Sequence, residues 1–308
     1  MNARKLLLSL AVASVASSAP ARAAEPSDSS GAGSAEPAAA LNLAAAAAAG
    51  EAERGLQDVL PTLELELRFS DNYKPVGRAL FVAPLVEQEG GEGALFTQGS
   101  ISHFDDRLTT NLGLGYRRLL LDKRLLVGTN AFYDHEWDYH HDRASIGAEV
   151  RTTIFEVNAN YYLGLSGWRD SADGFEERAM DGYDVELAAP LPYLPTTRLS
   201  ARHFEWKAQS GDFRENGREI AFEAEVLAGL TLAVGHRYYD KQDNEDFGAV
   251  RVDVLDVWAG DDDFRLVADQ AYALSSMEPA LYDKVRRENL IRKERRGINS
   301  FAVTASGF

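Results

Sequence analysis

From Thr62 onward apolar and polar positions alternate with a period of two, the pattern of a strand with one apolar face. TLELELRFS at Thr62–Ser70 sets Leu63, Leu65, Leu67 and Phe69 against Glu64, Glu66 and Arg68. Leu108, Leu112, Leu114 and Tyr116 alternate with Asn111, Gly113, Gly115 and Arg117; Leu125, Val127, Ala131 and Tyr133 alternate with Gly128, Asn130 and Asp134. Ala144, Ile146, Ala148 and Val150 oppose Ser145, Glu149 and Arg151, and Phe155, Val157, Ala159 and Tyr161 oppose Glu156, Asn158 and Asn160. Tyr183, Val185, Leu187 and Ala189 oppose Asp184 and Glu186. Ile220, Phe222, Ala224 and Val226 oppose Glu219, Glu223 and Glu225; Val250, Val252 and Val254 oppose Arg251 and Asp253. Weaker alternation at Gly77–Leu85, Ala94–His103, Thr196–Trp206 and Leu230–Tyr239 brings the strands to twelve, an even number as single-chain bacterial barrels require.

A soluble antiparallel sheet alternates in the same way. Three further features favour a transmembrane barrel. Strands near ten residues match the bilayer. Long connections at His135–Asp142, Gly164–Asp181, Lys207–Asn216 and Asp240–Glu245 alternate with short ones at Leu121–Lys123, Thr152–Ile154, Pro190–Pro195 and Leu227–Gly229, although Val86–Gly93 breaks the rule. Aromatic residues Phe69, Tyr73, Trp137, Tyr193, Trp206, Tyr238 and Tyr239 gather at strand ends, where interfacial girdles sit. The fold class expected is therefore all-β: a closed transmembrane antiparallel β-barrel of about twelve strands, apolar outside and wet inside. Its lumen would be lined by Glu64, Glu66, Arg68, Arg117, Glu149, Arg151, Glu156, Asp184, Glu186, Glu219, Glu223, Glu225 and Arg251, with Arg198 and Arg202 beside them. Pro190, Pro192 and Pro195 read as turn geometry.

The flanks change the picture. Met1–Ala24 has basic Arg4 and Lys5, an apolar stretch at Leu6–Ala16 and a small-residue site at Ala21–Ala23, which together predict a secretory signal. Residues 25–61, rich in Ala, Pro, Ser and Gly, predict a flexible periplasmic spacer, with a short helix at Glu51–Leu60. After residue 24 there is no run of about eighteen apolar residues, so a spanning protein must span as a closed barrel. The formal charge of −16 argues against nucleic acid, and the lack of cysteine excludes disulfides and thiolate metal sites.

The barrel is expected to occupy residues 62–257, a linker 258–296 and a short exposed tail 297–308. Met277–Arg296 reads MEPALYDKVRRENLIRKERR, with Lys284, Arg286, Arg287, Arg292, Lys293, Arg295 and Arg296 crowded together. The bland reading is a solvated amphipathic helix; the alternative is a segment drawn by opposite charge into an acidic lumen. The tail alternates weakly and ends on Phe308, like the assembly signal of barrels that end at their C-terminus.

Several stretches resemble the β-domain of inverse autotransporters, the intimin and invasin family of outer-membrane barrels. They are NLGLGYR at Asn111–Arg117, GTNAFYDHEWD at Gly128–Asp138, GWRDSADGFEERAMDGYD at Gly167–Asp184, and PLPYLP at Pro190–Pro195. The resemblance implies a twelve-stranded barrel with both its ends in the periplasm, and a linker that returns through the pore carrying a passenger of immunoglobulin-like and lectin-like domains. PALYDKVRRENLIRKERR looks like that linker. The family loop motif covers Gly167, Trp168, Asp173, Gly174, Phe175, Glu176, Glu177, Arg178, Asp181, Gly182 and Tyr183. Implied partners are outer-membrane lipid and lipopolysaccharide, the barrel assembly machinery, and a host or neighbouring cell reached through a passenger. Only Gly297–Phe308 follow the linker, too few for an adhesive domain, so a passenger-less pore or structural barrel stands as the alternative.

Two stretches offer other chemistry. Asp134, His135, Glu136, Asp138, His140, His141 and Asp142 form a titratable group that could bind a metal or activate water, or simply be a wet loop. Asp170, Asp173, Glu176 and Glu177 lack the ligand spacing of an EF-hand, and a structural role is expected: Trp168 and Phe175 fold the loop over the barrel, with Arg169 or Arg178 paired to its carboxylates. No catalytic residue, metal or cofactor is assigned.

Overall fold

The computed structural model describes residues 59–171, 174–260, 264–297 and 300–306. The signal, nearly all of the spacer, and Asp173 lie outside the described residues. Fourteen strands come first in chain order: β1 (Thr62–Ser70), β2 (Val76–Glu87), β3 (Gly93–Phe104), β4 (Arg107–Leu120), β5 (Leu125–Glu136), β6 (His141–Arg151), β7 (Glu156–Gly164), β8 (Arg169–Asp170), β9 (Phe175–Ala179), β10 (Asp181–Leu191), β11 (Leu194–Lys207), β12 (Arg214–Leu227), β13 (Leu230–Tyr239) and β14 (Glu245–Asp253). A one-turn helix α1 (Val254–Ala259) and strands β15 (Lys293–Gly297) and β16 (Ser300–Ser306) follow.

All but β8, β9, β15 and β16 form one antiparallel sheet that closes on itself, with β14 against β1 in the register Glu66↔Arg251. Closure leaves no unpaired edge, the condition for crossing lipid with strands. Among the described residues no helix is long and apolar enough to cross a membrane. The alternation now has two destinations. Leu112, Leu114, Ile146, Leu187, Ile220 and Val234 stand exposed on the outside, while Ser100, Asn111, Asn158, Asn160, Asp184 and Glu219 are buried inside.

Two connections define each hairpin's ends. The turn rim carries residues 88–92, 121–124, 152–155, 192–193 and 228–229; the loop rim carries 71–75, 105–106, 137–140, 165–180, 208–213 and 240–244. The length contrast expected from sequence rests mainly on 165–180. The expected long loop at His135–Asp142 is instead a tight turn at 137–140: His135, Glu136, His141 and Asp142 belong to strands and pair as Glu136↔His141 and His135↔Asp142. Pro190 falls at a register shift between β10 and β11, where a missing N–H costs no ladder bond.

The interior is not uniformly wet. Leu80, Val82, Phe96 and Phe132 form a buried apolar wall on β2–β5, continued by Ala94, Leu119 and Leu126 toward the turn rim. This wall explains the NLGLGYR motif. A Cβ on Gly113 would come within 2.3 Å of the Phe132 ring, and one on Gly115 within 2.2 Å of Phe96, so each glycine leaves room for a ring lying over the strand. Trp206 and Tyr239 also point inward, packed with Tyr162, Met180 and Phe204, and so are not girdle residues; Phe69, Trp137, Tyr193 and Tyr238 are exposed.

Candidate functional site

The rest of the interior is charged, and its carboxylates and guanidiniums meet in pairs. Arg117 Nε donates to Glu149 over 2.7 Å, Arg251 binds Glu66 over 2.7 Å and Glu223 over 2.6 Å, and Arg68 reaches Glu245 over 3.3 Å. Arg198 spans Glu156 and Glu186, Arg202 reaches Asp184 over 3.2 Å, and Arg237 binds Glu219. Arg151 takes Asp283 over 2.6 Å, Glu64 takes Lys284, and Glu225 accepts the Gly229 amide over 2.7 Å. These residues alternate along their strands with the exposed apolar side chains of the outer face. Burying ions in pairs with further hydrogen bonds is what keeps their desolvation tolerable.

Residues 277–293 supply many of the partners. At the turn rim the Met277 amide donates to Lys123 O over 2.7 Å. A 3₁₀ turn at Glu278–Tyr282 follows, and Met277, Leu281 and Val285 seat on the apolar wall. Arg286 meets Glu223 over 3.1 Å, Arg287 meets Asp134 over 2.7 Å, and Arg202 reaches Glu288 over 3.4 Å. Arg292 lies beside Glu288 and over Trp206. At the loop rim Lys293 Nζ donates to Glu136 over 2.5 Å. The segment is an extended amphipathic chain rather than an amphipathic helix, with apolar side chains toward β2–β5 and basic ones toward the carboxylates.

The backbone of this segment is held as firmly as its side chains. Arg117 Nη1 donates to the carbonyls of Leu281 (2.9 Å) and Asp283 (2.5 Å). Arg143 reaches those of Glu288 (2.7 Å) and Leu290 (3.0 Å), Asn111 that of Asn289, and Asn160 that of Arg286. Gln98 and Tyr162 accept the Val285 and Glu288 amides over 2.7 Å each.

At the loop rim a second sheet, in the order β16-β15-β9-β8, joins the 165–180 connection to the end of the segment. The motif residues build it. Trp168 lies under both Arg178 and Arg296, Phe175 under Arg295, and Gly182 packs on Trp206. Asp181 accepts the Gly164 amide, and the Tyr183 hydroxyl lies 3.5 Å from His203 Nε2. Gly167 and Gly174 sit where an added Cβ would meet open space. Arg178 pairs with Glu294 rather than with carboxylates of its own loop. Ser300–Ser306, expected as an exposed tail, is a strand paired to β15.

Glu177 is the centre of this region. Arg107 of β4 donates to it over 2.6 Å and Arg295 of β15 over 3.0 Å, and its side chain is fully buried. Burial alone would raise its carboxyl; the His141 ring 3.8 Å away, hydrogen bonds from Arg107 and the charges of Lys293 and Arg107 hold it well below the usual carboxylate range. Glu136, His141 and Glu177 lie close enough to share a metal ion. Arg107, Lys293 and Arg295 already occupy the two carboxylates, so a divalent cation would meet three positive charges there. His135 instead pairs with Asp142 on the outer surface over 2.7 Å. Sequence reading missed Arg107, Arg143, Arg237 and Glu245 as interior groups, although each continues the two-residue alternation of its strand.

Fold and interior together define an outer-membrane β-barrel. A family model, the inverse autotransporter β-domain, matches residues 16–289, and the chain belongs to that family. It is similar to a putative attaching and effacing protein homolog of Escherichia coli K12 (34% identical over 114 residues, covering 36% of this chain and 38% of that protein). It is also similar to the invasin of Yersinia enterocolitica (36% over 116 residues; 37% and 14%) and the intimin of Escherichia coli O127:H6 (31% over 137 residues; 44% and 14%). The aligned stretches thus span 38% or less of these relatives. Among solved structures, one reported under "Unveiling the Mechanism Behind the in-meso Crystallization of Membrane Proteins" superposes with a TM-score of 0.62 at 20% identity, covering 76% of this chain and all of that one, a likeness of fold.

Proposed function

We propose that this barrel is the translocation unit of an inverse autotransporter. It anchors in the outer membrane, surrounded by lipid and lipopolysaccharide, and passes the C-terminal segment from the periplasmic turn rim to the cell-surface loop rim. The carrying observation is the path of residues 277–293, bonded to Lys123 at one rim and to Glu136 at the other, with inward-facing side chains holding its backbone between them. Adhesion would then belong to whatever the exported chain carries, and assembly to the barrel assembly machinery. No enzymatic role is needed: the titratable groups around Glu177 are neutralised by side-chain cations. An epitope tag placed after Phe308, probed by antibody on intact cells, tests this. Surface labelling supports export. A tag reached only after the outer membrane is opened would refute it, and would favour a passenger-less pore.

A further inference from the structure

β9 and β15 carry a charge order that fits only when they are paired as the structure pairs them. The antiparallel register sets Glu176 against Arg296, Glu177 against Arg295 and Arg178 against Glu294. All three cross-strand pairs are of opposite sign, and all three are bonded: 2.7 Å for Glu176–Arg296, 3.0 Å for Glu177–Arg295 and 2.7 Å for Arg178–Glu294.

A strand slips most readily by two residues, because such a shift keeps every side chain on its own face. Neither two-residue slip is open here. Moving β15 one way sets Glu176 against Glu294 and Arg178 against Arg292; moving it the other way sets Arg178 against Arg296. Like charges directly opposite each other destabilise a pair, so both slips are opposed where the native register is favoured. Other contacts also bear on the alignment, among them Lys293 at Glu136 and Glu294 accepting the Gln209 amide over 2.9 Å, but apart from Phe175 and the buried Ala179 neither FEERA nor KERRG carries an apolar side chain, so the cross-strand order is written in charge.

We propose that the β8–β9 hairpin is a register-selective acceptor: its edge captures the strand leaving the barrel and halts it at one position, chosen by charge order. The partner it fits is a short extended segment bearing an acid followed by two bases, as Glu294, Arg295 and Arg296 do. The side-chain cages reinforce the choice. Trp168 takes both Arg178 from the acceptor, 4.7 Å from its ring centroid, and Arg296 from the captured strand, at 4.0 Å, so one ring joins the two strands in this alignment. The identity of β15 as exported chain rests on the function proposed above; the register selection does not.

The chain has no cysteine, so a single introduced pair reports alignment cleanly. Phe175 and Gly297 are opposed in the native register. In the purified, folded full chain, F175C/G297C should form a disulfide readily. Adding E176R, or separately R178E, should cut its rate roughly three- to tenfold, and E176R/R296E should restore it, since that swap makes all three native pairs opposite in sign again, more than either slipped register then offers. Heat-modifiable gel mobility confirms that each variant keeps its barrel. Unchanged crosslinking in both E176R and R178E, or a swap no better than E176R alone, would overturn the proposal. Crosslinking reads alignment whichever side of the membrane the Phe308 tag reports, so the two ideas fail separately.

Discussion

Arg287 gives two hydrogen bonds to Asp134, of 2.9 and 2.7 Å, and neither side chain has any solvent-accessible surface. Asp134 also takes Arg143 Nε over 2.8 Å and Asn111 over 2.6 Å, so one carboxylate of β5 ties two strands and the inner segment together. D134A leaves two buried guanidiniums without their counterion and should cost about 3–5 kcal/mol. R287A leaves Asp134 still served by Arg143 and Asn111, and should cost only about 1–3 kcal/mol. Midpoints of thermal unfolding in detergent order the two; equal losses would contradict the shared-carboxylate account.

Arg117 and Arg143 hold backbone carbonyls of the inner segment, each through two good bonds. Removing either should loosen the segment by about 3 kcal/mol, near a hundredfold in the open population. Single-channel recordings in planar bilayers should therefore show R117A and R143A opening far more often than the parent. Silent traces from both would contradict the assignment of these arginines as the grip.

Gly115 lies under Phe96, and Gly77 has nothing within 4 Å of an added Cβ. G115A should destabilise the barrel by about 1–3 kcal/mol by forcing the ring off its site. G77A should be neutral or slightly stabilising, through lower freedom in the unfolded chain. Urea unfolding in lipid vesicles measures both.

Glu177 has its folded carboxyl depressed, so it stabilises the loop-rim sheet fully above the ordinary carboxylate value near 4.3, and this contribution is lost as pH falls below that toward the folded value. Amides of β9 and β15 should lose hydrogen-exchange protection between about pH 4 and pH 2. E177Q should be weakly protected already at pH 7 and lose little more on acidification. Protection in the parent that is flat with pH would remove Glu177 from its central role.

The barrel strands were legible because lipid demands an apolar face at every second residue, a constraint strong enough to survive in single strands such as TLELELRFS. Alternation was faint in β2 and β3 for a reason visible only in three dimensions: Leu80, Val82 and Phe96 face inward to meet Val285, and Ala94 to meet Leu281, so part of each strand is apolar on both faces. The interior charges were legible by the same alternation up to the loop rim. There the outer face turns polar, with His135 and Asp142 outside the apolar band, and strand ends read as loop. β9 and β15 were illegible because their period is written in charge rather than hydropathy.

Arg117, Arg143, Asn111 and Asn160 hold the inner segment by its peptide groups, which every residue possesses. Contacts of this kind are indifferent to the side chain at the gripped position, so these four residues would hold the backbone of an altered 281–290 sequence in the same place, while the ion pairs of Lys284, Arg286 and Arg287 would not survive the change.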